Sequence, residues 1–412
     1  MGMRNGNSSN TSRRKYLRTI AAGSVFLAGC SNENNGEGGA DGESGSGSPT
    51  TSDNESTSTE QSSGPYEIGI VHSTLNLGGA TLAQARGAQW YADSKENLNV
   101  TILDGGLDPT KQNQQMESLI QQEVDAIGIV PLDKSAMTSR IEDASDRGIP
   151  VFTADTFAAT DLVTHGSSKN NYNDGQKIGR HLVDVLNDRR GAPEGRYALI
   201  SAPIQRPVVQ QRSDGIRNIL GQHDGLTEVD EVVVSPGSVQ NAVETVSNYL
   251  QTEPDIDVMV TNWIGGSYGI IQGLDRFDMK HPASSDRHVP VVGIDCDSQV
   301  LSYIGDGFHD GAISPGEQFQ YPAALSFMTR YLKADKDESV LPKVGDKIEE
   351  GEFDFPDSVN GVDVFGKAIW APTEMQKAAS ADYPYFPAGS VVVTEKNYQE
   401  PYLYGNFLQK LE

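Results

Sequence analysis

From residue 66 onward the chain alternates short apolar runs with longer stretches of helical period. Tyr66-Glu67-Ile68-Gly69-Ile70-Val71 is an apolar run of the kind a buried parallel strand needs. It stops at His72-Ser73-Thr74-Leu75-Asn76. Gly78-Gly79 then opens a helical pattern that puts Leu82, Ala85, Gln89 and Ala92 on one face. The same reading predicts strands over 100–104, 126–130 and 150–154, and helices over 109–122 and 134–147, the latter closed by Gly148. A link through 162–166 leads to a second series. Its helices are predicted over 174–186, 208–220, 239–250 and 266–277, and its strands over 197–201, 227–234, 258–261 and 290–294. Two runs of β–α units imply an α/β protein with two Rossmann-like lobes, parallel sheets with helices on both faces, joined by a hinge. A length of 412 residues fits two lobes better than one core.

The first sixty residues break the alternation. Ser12-Arg13-Arg14-Lys15-Tyr16-Leu17-Arg18 reads as a twin-arginine export signal, followed by a modest apolar run over 19–27. Leu27-Ala28-Gly29-Cys30 resembles a lipobox, in which the cysteine is cleaved and lipidated. The apolar run is too short to span a bilayer, which takes roughly 20 residues. Residues 31–64 are Gly, Ser, Thr, Asn, Asp and Glu with almost nothing apolar, so they are expected to stay a disordered tether. Its Gly/Ser-rich composition gives a reach of roughly 30 Å. The expected organisation is therefore signal and lipobox over 1–30, tether over 31–64, an N-terminal lobe over 65–168 and a C-terminal lobe over 169–320. Parts of about 321–375 complete the first lobe and parts of about 376–412 the second.

Charge narrows the setting. The formal net charge is −25, and residues 1–29 hold five basic and no acidic residues, which leaves the chain from Cys30 near −30. Self-repulsion of that size is tolerated where salt screens it, so a halophilic, extracytoplasmic protein is expected, anchored to the outer membrane face through lipid on Cys30. The same charge argues against nucleic acid as a partner. Beyond Cys30 the only cysteine is Cys296, so no intramolecular disulfide is expected, and no His/Cys spacing suits zinc. No cofactor is expected.

Polar residues recur just past the predicted strand ends. Ser73, Thr74 and Asn76 follow the first strand, and Asp155-Thr156-Phe157 follow the strand ending at Ala154. Asn262-Trp263 and Asp295 follow two strands of the second series. Arg212 opens the helix after Ser201, and Gln320 follows the short apolar run over 312–314. Carboxylates accept, guanidinium donates in a fork and amides do both, so this set suits a polyhydroxylated ligand. An indole face can cover the C–H side of a sugar ring. Ligands of open α/β sheets bind at this carboxyl edge. His72 reads as polar lining or structural.

Here the chain resembles the periplasmic sugar-binding proteins of ABC importers, the ribose-binding-like, type I periplasmic binding protein family. The motifs are Ile70-Val71-His72-Ser73-Thr74-Leu75-Asn76, Ala126-Ile127-Gly128-Ile129-Val130-Pro131, Gly148-Ile149-Pro150-Val151 leading to Asp155, Asn170–Gly179, Gln211-Arg212-Ser213-Asp214-Gly215, Thr261-Asn262, Val292-Gly293-Ile294-Asp295 and Gln320-Tyr321-Pro322. The resemblance implies a monomeric, non-enzymatic receptor that closes on a sugar or related polyol and hands it to an ABC permease and its ATPase. A receptor for chemotaxis or signalling is the alternative on the same fold. Two departures stand out. Leu77-Gly78-Gly79-Ala80 stands where ribose binders place ring-stacking phenylalanines, and Thr156 stands where an arginine often follows the aspartate. Ring stacking would then fall to Trp263 or Phe157. The segment 335–366 and the aromatic tail over 383–407 also exceed the family's usual length. An enzyme on this sheet is disfavoured, since the first βα turn, 73–79, lacks G-x-G-x-x-G, there is no complete P-loop lysine motif, and no G-x-S-x-G sits directly on a strand end.

Overall fold

The computed structural model describes residues 64–75, 78–203 and 207–411. The export signal, Cys30, nearly all of the tether and Asn76 lie outside these residues. The first series gives β1 (Tyr66–His72), α1 (Gly79–Asp93), β2 (Leu98–Asp104), α2 (Pro109–Gln121), β3 (Ala126–Ile129), α3 (Thr138–Asp146), β4 (Val151–Ala154) and β5 (His165–Lys169). The second gives α4 (Asn171–Arg190), β6 (Gly195–Ser201), α5 (Pro207–Leu220), β7 (Leu226–Val233), α6 (Val239–Thr252), β8 (Val258–Thr261), α7 (Ile264–Arg276), β9 (Val291–Ile294), α8 (Ser298–Gly305) and β10 (Gly311–Pro315). After α9 (Glu317–Lys333) come the two-residue strands β11 (Lys347–Ile348), β12 (Thr373–Glu374) and β13 (Gln376–Lys377). Then β14 (Pro384–Ala388), β15 (Ser390–Val393) and α10 (Tyr404–Leu411) finish the chain.

Three departures from the expected elements have local causes. Strand β5 occupies the expected link, because its His165, Ser167 and Ser168 are buried polar residues that give no apolar signal. Helix α3 starts four residues late, since Asp133 Oδ1 accepts from the Ser135 and Ala136 N–H groups and holds a turn there. On α1 the buried face runs through Gln84, Ala85, Ala88 and Ala92, while Leu82 and Gln89 are only half-buried.

Among the described residues the strands form two large sheets and a two-stranded ribbon of β11 and β12. The first has the order β13-β14-β5-β4-β3-β1-β2 and is parallel except for β13. The second has the order β15-β10-β9-β8-β6-β7 and is parallel except for β15. Their central strands are aliphatic and buried on both faces, as helix-covered parallel strands must be. Register aligns the strand ends: Val71 pairs with Ile129, and Ile129 with Thr153.

The chain passes between the sheets three times: after β5, after β10, and at Gly389 between β14 and β15. These crossings touch, since the Gly316 N–H donates to the Gly389 carbonyl at 2.8 Å. Helix α9 returns to the first sheet, where Phe319 and Phe327 meet the rings of Phe353, Phe355 and Phe365 from the long segment after it. That segment is thus a further layer on the first lobe. Helix α10 reaches both lobes. Its Phe407 meets Trp90 of α1 at 5.8 Å, and the Tyr404 hydroxyl accepts from the Cys296 N–H at 2.7 Å.

Candidate ligand-binding site

Asp155 and Asp295 occupy matching places in the two sheets. Each follows a central strand, β4 or β9, and each donates its N–H to the next strand, to the Ser167 and Ile313 carbonyls, both at 2.9 Å. Each also has positive φ, 61° and 75°. A non-glycine residue held there stores strain of about 1–3 kcal/mol, and six other described non-glycine residues, Glu123 and Asp335 among them, share the positive φ. The capping role open to Asp295 falls instead to Asp297, whose Oδ1 accepts from Gln299 and Val300 N–H at 3.1 Å.

In the second lobe Asp295 pairs with Arg212 at 3.0 and 3.3 Å through both guanidinium NH₂ groups. Arg212 also donates to Asn171 Oδ1 and to the Asn262 carbonyl, each at 3.0 Å. Asn262 donates to Ser201 Oγ at 2.8 Å and Ser213 Oγ at 2.9 Å, and accepts from the Ala202 N–H, so its side chain braces the strand ends of its own lobe. Burial opposes the Arg212 charge, and Asp295 more than restores it, raising its pKa.

In the first lobe Asp155 pairs with Lys169 at 2.9 Å, and Lys169 also holds Glu317, at the start of α9, at 2.8 Å. Gln84 of α1 donates to Asp155 Oδ1 at 3.2 Å and Glu317 Oε2 at 2.6 Å, and Gln320 donates to the same Oε2 at 2.6 Å. His72 bonds Gln84 Oε1 at 3.1 Å, and burial keeps its imidazole below its ordinary pKa. Burial would raise the Asp155 carboxyl, yet Lys169 holds it below the usual range. Burial pushes Glu317 up, and Lys169 draws it only partly back. Burial also works against the Lys169 ammonium, but Asp155 and Glu317 raise it above its ordinary value. The two lobes' networks meet electrostatically: Arg212 helps to lower Asp155, and Asp295 to raise Lys169.

The remaining sequence candidates are spread more widely. Ser73 and Thr74 sit beyond β1, where the Thr74 N–H donates to His72 Nδ1 at 3.1 Å and the next N–H, of Leu75, donates to Asp104 Oδ1. Thr156 is half-buried beside Asp155. Phe157 packs on Tyr385 at 4.7 Å and Tyr383 at 6.3 Å, inside the first lobe's apolar contacts. Trp263 is half-buried over Gly265 and against the second lobe's core, with its indole N–H buried and without a partner among the described residues. A cavity of about 340 Å³ opens at the first turn of α1, lined by Gly78, Gly79, Leu82, Asp297, Tyr404 and Leu408 among others. Its lining shares no residue with the charged network, and it is the paired charges that define the candidate site.

Sequence reasoning passed over Lys169, Glu317 and Gln84. Each left a faint signal: a lysine ending a polar strand, a glutamate opening a helix, and an amide on an otherwise small-residue helix face.

Comparison with known proteins agrees with this architecture. Residues 78–336 match the periplasmic binding protein domain. The ribose import binding protein of Bacillus subtilis is 27% identical over 58% of this chain and 73% of its own. A xylitol-binding protein of Mycolicibacterium smegmatis is 23% identical over 60% of this chain and 68% of its own. Among solved structures, an ABC transporter solute binding protein from Bacillus halodurans with bound myo-inositol superposes with a TM-score of 0.60 at 21% identity, covering 83% of this chain and 99% of the other. These relatives are solute-binding proteins and not enzymes, and this chain, with its two sheets and three crossings, belongs to the periplasmic binding protein family.

Proposed function

We propose that the protein captures a small polyhydroxylated solute, a sugar or related polyol, by hinge closure and delivers it to an ABC permease and its ATPase. One observation carries the reading: two strained aspartates, one per lobe, each paired with a cation at a strand's carboxyl end. Carboxylates accept from ligand hydroxyls while guanidinium and ammonium donate, which is the chemistry a polyol needs. The relatives named for ribose, xylitol and myo-inositol support that ligand class. A ligand that meets both lobes only when they are closed favours the closed state by that difference in affinity.

The proposed ligand residues are Asp155, Arg212 and Asp295 at the centre; Ser73, Thr74, Asn76, Thr156, Phe157, Asn262, Trp263 and Gln320 are the further candidates from the sequence, Asn76 lying outside the described residues. The proposed hinge is the set of crossings near Asn170, Gly316 and Gly389. Export through the twin-arginine signal, lipid on Cys30, a monomeric state and a halophilic setting complete the reading, motivated by the sequence before residue 64 and by its charge. A thermal-shift screen of pentoses, hexoses and polyols in high salt tests it. A ligand at 100 times its Kd should stabilise the fold by about 2.7 kcal/mol. Failure of every polyol to raise the melting temperature would overturn the proposal.

A further inference from the structure

Among the described residues the charges around the candidate site do not balance. Asp155, Asp295 and Glu317 share two cations, Lys169 and Arg212. The neighbouring Asp174 and Lys177 both bond Ser390 and cancel each other, while burial lowers the His72 pKa and so favours its neutral form. Glu317 is the carboxylate in excess. It is fully buried and takes three donors, from Lys169, Gln84 and Gln320, an arrangement built for an ionised group. A second feature points the same way. Gln320 is 0% exposed and its amide nitrogen is spent on Glu317, which leaves its Oε1 an acceptor with no partner among the described residues.

Resting on the solute-capture reading, we propose that this site selects a polyol carrying one protonated amine, and that Glu317 sets the preference. A neutral sugar would be enclosed with one negative charge unmatched, and burying unmatched charge is costly. An ammonium restores the balance and brings donors for acceptors such as Gln320 Oε1. A uronate or sugar phosphate would add to the excess. Glu317 acts as a positioning residue: it bonds Lys169 and Gln84, each of which also bonds Asp155.

A proton on Glu317 would cancel the same excess, so proton and amine compete. The groups facing Glu317 are Lys169 from β5, Gln84 from α1 and Gln320 from its own helix. At longer range Asp155, Asp295, Arg212 and Tyr404 act with it. Affinity for an amine should therefore fall as pH drops through the Glu317 titration, while affinity for its neutral parent should not.

Titration calorimetry on the full-length protein with matched sets tests this: glucose, glucosamine and glucuronate; galactose, galactosamine and galacturonate; myo-inositol and its monoamine. In any set that binds, the amine should exceed the neutral parent by about tenfold near pH 6.5 and the acid should be weakest. That gap should narrow as pH is lowered and Glu317 takes up its proton. Glu317→Gln, which keeps the shape, should bring amine and parent within about threefold of each other. Equal binding of amine and neutral parent by the wild type would overturn the charge inference and leave solute capture standing. Failure of all sets would overturn both. Should the variant misfold, a wild-type amine preference that stays unchanged over the whole pH range in which the protein remains folded would remove Glu317 from the role.

Discussion

Arg212 donates to Asn171, to the Asn262 carbonyl and twice to Asp295, and it is 5% exposed. Sequence reasoning alone would expect Arg212→Ala to lose ligand and keep its stability. The structure revises that, because the change strands Asp295 in a buried place without its cation. Removing one partner of a buried pair costs about 3–5 kcal/mol, so Arg212→Ala should lower the melting temperature of the unliganded protein as well as its affinity. Asp155 behaves differently. Its side chain is 25% exposed, and Lys169 keeps Glu317 as a partner if the Asp155 charge goes. Asp155→Asn should cost about 1.5–3 kcal/mol of binding, or roughly 10- to 150-fold in Kd, with little change in melting. Calorimetry with the identified ligand separates the two, and an Asp155→Asn affinity within threefold of wild type would place the ligand elsewhere.

Helices α4 and α5 set where Arg212 stands, and two glycines let them do so. A β-carbon on Gly215 would strike the Tyr172 carbonyl, and one on Gly175 the Arg212 carbonyl, so the two backbones touch. Gly215→Ala should push the helices apart, costing about 1–3 kcal/mol of stability and pulling Arg212 away from Asn171 and Asp295. A thermal melt reads the first effect and ligand titration the second. At this scale most of the fold was legible. Strands such as β3, β8 and β9 are unbroken aliphatic runs, and α2 is announced by Asp108-Pro109, where Asp108 accepts from two N–H groups. Strand β5 was not, because it buries His165 and two serines in place of an aliphatic run, and Ser168 Oγ finds its acceptor, the Asp155 carbonyl at 2.6 Å, only outside the segment. Asp155, Arg212 and Asp295 could be picked out because they are polar residues next to apolar strands. Lys169 and Glu317 meet only through the crossings, across a long span of sequence, so no local pattern could join them.

For the whole molecule, acid and salt act on different charges. Burial lowers His165 and His309 to about 4 each, so the folded state keeps both neutral. The unfolded chain takes up those protons at its ordinary pKa of about 6.5. Stability should therefore be full above about pH 6.5 and fall as pH drops toward 4. Melting curves across that range, flattened in His309→Asn, would show it; no change would rule it out. A chain near −30 from Cys30 should also melt at lower temperature at about 0.1 M salt than at 2 M, and equal values would sink the halophilic reading. The late return of the chain to its first sheet has a consequence for the order of synthesis. Strand β5 waits for β14, and Gly166 cannot meet Tyr385 until almost the whole chain has been made. Until then β5 is an open edge and the first lobe lacks Phe386, so the nascent chain carries an aggregation-prone intermediate. A message cut before Pro384 should yield a lobe that cannot close its own sheet, and inclusion bodies where the full chain gives folded protein.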